Sequence, residues 1–143
     1  MKKKNFLIIV VVVLIMFAFM GCSAPNLITN ESFNAVAYSE KLEIRIEENT
    51  LIVDLSDTAM VSFTQFNSNA DAIARFRFHE THINNYNIHT NSFQANMLNH
   101  DIWRVNAGGS FYAIYRIESG VLFARGLTSE RDMIRNFINL LTQ

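Results

Sequence analysis

Apolar and polar residues alternate over 41–47, where Leu42, Ile44 and Ile46 are interleaved with Glu43, Arg45 and Glu47. A period of two is the pattern of a half-buried strand. Glu48-Asn49 reads as a turn, and residues 51–55 as the returning strand. Residues 59–66 supply a third strand, with Val61 and Phe63 on one face. The period changes after Asn67-Ser68-Asn69. Ala72, Ile73 and Phe76 recur at helical spacing and predict a helix over 70–78 with these three as its buried stripe. Upstream, Phe33, Val36 and Ala37 predict a short helix over 30–40, with Asn30 as its N-cap.

The C-terminal part repeats these signals. Ile102, Trp103 and Val105 predict a strand, Gly108-Gly109 a turn, and residues 111–117 and 121–127 a hairpin closed at Glu118-Ser119-Gly120. Thr128 or Ser129 is placed to cap a terminal helix. Glu130 and Asp132 lie in its first turn, where the helix dipole favours carboxylates. Its apolar face is Met133, Ile134, Phe137, Ile138 and Leu141. Residues 79–100 follow neither period. They are rich in Asn, which favours turns, and read as short ordered elements.

These elements predict an α+β fold: an antiparallel sheet built from hairpins, with the helices packed on one face and a helix at the C-terminus. At an offset of 60, Val61 falls on Val121, Phe63 on Phe123 and Arg75 on Arg135. A ββ(β)α internal duplication would produce that correspondence, and so would chance similarity of two hairpin–helix units.

The N-terminus obeys a different logic. Lys2-Lys3-Lys4 precede a 15-residue apolar run, Phe6 to Met20, which ends at Gly21-Cys22-Ser23. A charged start, an apolar stretch and a small residue before a cut form a secretory signal pattern. A membrane-spanning helix needs about 20 apolar residues, so this run is short for one. The segment Phe19-Met20-Gly21-Cys22 resembles the lipobox of bacterial lipoproteins. Phe19 and Met20 depart from the Leu and small residue usual at those places. The resemblance covers residues 1–22. It implies a signal peptide over 1–21, cleavage before Cys22, and a diacylglyceryl group on the Cys22 sulfur. Two acyl chains give a durable anchor where one gives a marginal one. Residues 22–29, which hold the only Pro, then read as lipidated Cys and tether, and 30–143 as a single domain. The expected location is the extracytoplasmic face of the cell membrane. In a two-membrane bacterium the alternative is the periplasmic leaflet of the outer membrane, because Ser23 is not the Asp that typically retains lipoproteins at the inner one.

Nine of the twelve basic residues and all thirteen acidic ones follow Cys22, which leaves residues 22–143 at a net charge of −4. That argues against nucleic acid as a partner. With Cys22 lipidated, no cysteine remains for a disulfide, so the core must hold the domain.

Chemistry is sparse. His79, His82 and His89 are weak metal candidates. Zinc needs three or four ligands in tetrahedral reach, and the spacing of two residues between His79 and His82 is not that of a zinc protease helix. Asp54 and Asp57 are separated like loop residues. Gly108-Gly109-Ser110 is better explained as a turn than as an oxyanion loop. No motif implies a cofactor. Trp103, Tyr112 and Arg116 lie on neighbouring strands and form a candidate partner surface, since Tyr, Trp and Arg are enriched at interfaces. The expected function is a membrane-anchored, non-catalytic binding or envelope-assembly module, with an envelope protein as a candidate partner. The alternatives are a small envelope metal-binding protein or hydrolase using the His79/His82/His89 region, and a ligand-binding accessory to a transporter.

Overall fold

A computed structural model of the chain describes residues 27–85, 89–97 and 99–143. The elements run α1 (Asn30–Ser39), β1 (Ile44–Glu47), β2 (Thr50–Asp54), β3 (Met60–Gln65), α2 (Asn69–Asn84), β4 (His89–Asn96), β5 (His100–Ala107), β6 (Ser110–Ile117), β7 (Gly120–Leu127) and α3 (Arg131–Thr142). A 3₁₀ turn, Thr128–Glu130, leads into α3. The strands form one antiparallel sheet in the order β1-β2-β3-β7-β6-β5-β4. The fold is α+β with a C-terminal helix, as the hydrophobic pattern predicts.

Local chemistry explains the boundaries. Thr29, rather than Asn30, caps α1, and it does so through a capping box: Ser32 N–H donates to Thr29 Oγ1 at 3.1 Å while Thr29 N–H donates to Ser32 Oγ at 2.9 Å. Ser68 caps α2 by accepting from Asp71 N–H at 3.1 Å. Gly108 and Gly109 both have positive φ, 58° and 83°, as a two-residue hairpin loop requires. Neither Thr128 nor Ser129 caps α3. Thr128 Oγ1 instead donates to Gly109 O at 2.9 Å, tying the β5–β6 turn to the end of β7.

The helices cover both faces of the sheet, not one. Leu51, Val53, Val61, Phe63, Phe111, Ala113, Tyr115, Leu122 and Ala124 point to one side and pack with Phe33 and Ala37 of α1 and Ile134, Phe137, Ile138 and Leu141 of α3. Trp103, Val105, Ala107, Ile114 and Val121 point to the other and pack under Ala72, Phe76 and Ile83 of α2. The central strands are apolar on both faces, so each face needs a cover. Phe33 joins the halves of the first core, 6.0 Å from the Phe63 ring and edge-on to Phe137 at 5.9 Å. Such pairs add about 0.5–1.5 kcal/mol beyond burial.

This two-sided packing bears on the offset of 60. β3 and β7 are antiparallel neighbours, and the rotation that exchanges them within a sheet preserves its faces. Val61 and Val121, however, belong to opposite cores, as do Phe63 and Phe123. The hairpin registers differ as well, since Phe63 faces Leu51 but Phe123 faces Ile114. The correspondence is a likeness of pattern between two hairpin–helix units, without the geometry of a repeat.

Four smaller expectations are also revised. Ile28 is buried in the first core, so the domain includes residues read above as tether. Ile46 is exposed, because β1 is an edge strand and no described residue covers this end of it. Ile73 and Met133 sit outside the buried stripes of their helices. The second helix continues to Asn84 and carries His79 and His82 with it.

Candidate functional site

His79 and His82 turn to different aromatic rings. His79 and His82 lie one turn apart on α2. The His79 ring stacks on Phe123, 4.5 Å between centroids and 16° between planes. His82 stacks instead on Phe78, at 6.1 Å. Burial of His79, together with the charge of Arg75 and the neighbouring His82, lowers its pKa to about 4. It is therefore a neutral ring in the α2–β7 contact. The side chain of His89 lies outside the described residues, as does Cys22. Among the described residues no three His, Cys, Asp or Glu side chains are grouped as metal ligands would be.

The expected aromatic surface is not a surface. Trp103 and Arg116 are each 3% exposed and Tyr112 is half-buried, because α2 lies over this part of the sheet. Arg116 is consumed internally. Its Nε donates to Asp101 Oδ2 at 2.6 Å and its Nη1 to the carbonyls of Glu118 and Asn99 at 3.2 and 3.4 Å. It joins two strand ends rather than presenting a charge to a partner.

A different cluster has unspent bonding capacity. On the α1/α3 face, residues of β4, β5, β6 and α3 enclose a basin of about 160 Å³ lined by Phe93, Arg104, Asn106, Phe111, Arg131 and Arg135. The strands align four of these, since Phe93 is opposite Arg104 and Asn106 opposite Phe111. Arg131 and Arg135 are four residues apart on α3, which puts them on one helix face. Arg104 lies over the Phe93 ring at 4.5 Å. Burial raises the pKa of Tyr115, while Arg104 and Arg135 oppose the rise, so both guanidinium groups act on one point beside β6.

Among the described residues, three buried side-chain polar atoms lack a hydrogen-bond partner: Arg104 Nε, Asn106 Oδ1 and Arg131 Nε. All three belong to this basin. Buried polar groups are almost always satisfied, so orphans gathered in one place mark a place where something else bonds. The nearest carboxylate is Asp132, 3.5 Å from Arg131 Nε without hydrogen-bond geometry and itself largely exposed. No carboxylate pairs with Arg104 or Arg135 among the described residues. Elsewhere Arg45 pairs with Glu47, Arg77 with Glu80 and Arg116 with Asp101.

No family model, curated protein or solved structure matches the chain.

Sequence reasoning overlooked this basin. Arg131 and Arg135 carry a usable signal in their helical spacing, but Arg104 joins them only through the placement of β5 beside α3. A larger cleft, about 460 Å³, lies between the end of α1 and α3 and is lined by Leu42, Leu55, Met133, Phe137 and Leu140 with Glu40 and Asn136 at its rim. It has room for a ligand, but none of the orphaned polar atoms that single out the basin.

Proposed function

We propose that this chain is an extracytoplasmic lipoprotein whose domain binds an anionic ligand without transforming it. The anchor part rests on the Lys2-Lys3-Lys4 start, the apolar run and Cys22 at its end. The binding part rests on one observation: Arg104, Arg131 and Arg135 line one basin, with Arg104 Nε and Arg131 Nε lacking a hydrogen-bond partner among the described residues, in a chain whose residues 22–143 are net acidic. Guanidinium groups are always charged and present donors in a fixed fork, which suits planar and bidentate recognition of oxyanions. The basin contains donors and charge but neither a nucleophile nor a general base, which favours holding a ligand over reacting with it. The partner role assigned to the Trp103/Tyr112/Arg116 surface passes to the arginine basin.

Two measurements test the reading. Labelled fatty acid should enter the wild-type chain and not Cys22→Ser; equal label in both removes the anchor. Calorimetric titration of the detergent-solubilised chain with sulfate, phosphate and citrate should detect saturable binding by one or more of them. Binding should weaken in Arg104→Gln, and undiminished affinity in that variant removes the basin.

A further inference from the structure

We infer that the anion taken by the arginine basin is a tetrahedral one, a phosphoryl group, rather than a carboxylate. This inference rests on the binding reading above and narrows it. A carboxylate is planar, and one guanidinium fork in its plane satisfies both oxygens. Here the donors arrive from two elements that do not share a plane. Arg104 is carried by the sheet strand β5, while Arg131 and Arg135 are carried by α3, a separate layer packed on the sheet, and all three line the basin. An anion that bonds to both layers needs oxygens pointing in three dimensions.

Charge gives the same answer. Among the described residues Arg104 and Arg135 have no carboxylate partner and Arg131 has only the exposed Asp132 at 3.5 Å, a surplus that one negative charge does not balance. A phosphoryl group carries about −1.5 to −2 at neutral pH, with three strong acceptor oxygens. The basin volume of about 160 Å³ admits one small group of this kind. Asn106, 8% exposed, completes the wall. Turning its amide by half a turn exchanges the orphaned Oδ1 for the two donors of Nδ2.

The rim says where the rest of a ligand would go. Phe93 is 48% exposed at the mouth, and Phe111 forms the floor. A phosphate ester with an apolar organic part gains contact with Phe93 that free phosphate does not. The shared chemistry is the phosphoryl group, and the two sources are free phosphate and a phosphomonoester.

The test is competitive binding to the full-length chain in non-ionic detergent, read by ³¹P NMR and calorimetry with inorganic phosphate, phenyl phosphate, sulfate, acetate and benzoate. Phosphate and phenyl phosphate should bind at one shared site. Sulfate should displace them, and the two carboxylates should not. Tighter binding of phenyl phosphate identifies an ester as the preferred source, whereas equal binding identifies free phosphate; either supports the inference. Arg135→Gln should weaken phosphate about tenfold or more, the scale of a lost charged hydrogen bond. Arg135→Lys, which keeps the charge and loses the fork, should weaken it as well and guards against a misfolded Gln variant. Acetate or benzoate binding as tightly as phosphate would overturn the phosphoryl assignment while leaving anion binding intact. Absence of binding by any of the five anions would overturn both.

Discussion

Arg116 Nε donates to Asp101 Oδ2 at 2.6 Å with both side chains nearly excluded from water. The two residues are direct cross-strand partners on β5 and β6. Arg116 also reaches the Asn99 and Glu118 carbonyls, so one guanidinium fastens the ends of two hairpins. A buried pair of this kind returns little net stability, but breaking it leaves a charge without a counterion. Asp101→Ala should therefore cost about 3–5 kcal/mol in urea unfolding. The double variant Asp101→Ala, Arg116→Met should recover a large part of that loss. Equal stability of the single variant and wild type would mean the pair is not formed.

Glu130 connects three segments. Its carboxylate accepts from Ser56 Oγ, from Thr58 Oγ1 at 2.8 Å and from Leu127 N–H at 2.8 Å. The hydrogen bond from Ser56, then those from Leu127 and Thr58, hold its pKa below the ordinary value of 4.5. A lowered carboxyl pKa means that its contribution to stability is present above about 4.5 and is lost as the pH falls through the folded-state value. Glu130→Gln should melt below wild type at neutral pH, and the two melting curves should draw together on acidification. A gap that widens at low pH would contradict these bonds.

His79 takes up its proton at lower pH than an exposed histidine does. Its folded pKa of about 4 lies under the ordinary 6.5, so both states are neutral above 6.5 and the unfolded chain alone takes up the proton between 6.5 and 4. Stability should fall over that window and level off beneath it. His79→Phe, which keeps a ring against Phe123, should flatten this part of the profile. An NMR titration in which the His79 ring protonates at 6.5 or above would show that the ring is not buried there.

Gly126 sits where β7 passes under α3. A Cβ there would lie 2.8 Å from Ile134 Cδ1 and 2.9 Å from Ala59 Cβ. Gly126→Ala should destabilise by about 1–3 kcal/mol, the usual penalty of forcing a methyl group into a packed core. A melting temperature equal to wild type would mean that β7 and α3 stand further apart.

Much of the fold was legible because the strands carry clean alternation and the hairpin loops carry Gly or Asn. Which face each helix takes was not legible, since β6 and β7 are apolar on both sides and their pattern fits either choice. The same ambiguity misplaced Trp103, Tyr112 and Arg116, for a face that reads as half-polar is also the face α2 covers. His79 fell outside the expected helix because residues 79–84 lack an apolar period. They are helical by extension from Ser68, and Ile83 provides the buried contact at their end. The arginine basin needed three dimensions. Arg131 and Arg135 are near in sequence, but Arg104 reaches them only because the sheet order sets β5 beside β6, within reach of α3.

The central claim is that these arginines hold an anion. Side-chain ¹H–¹⁵N spectra of arginine Nε–H groups, recorded while sulfate is added at constant ionic strength, test it most directly. The account predicts that the Arg104, Arg131 and Arg135 signals shift together and saturate at one dissociation constant, while those of the ion-paired Arg45 and Arg77 stay in place. Signals from Arg104, Arg131 and Arg135 that do not move, or that move no more than those of Arg45 and Arg77, would contradict it.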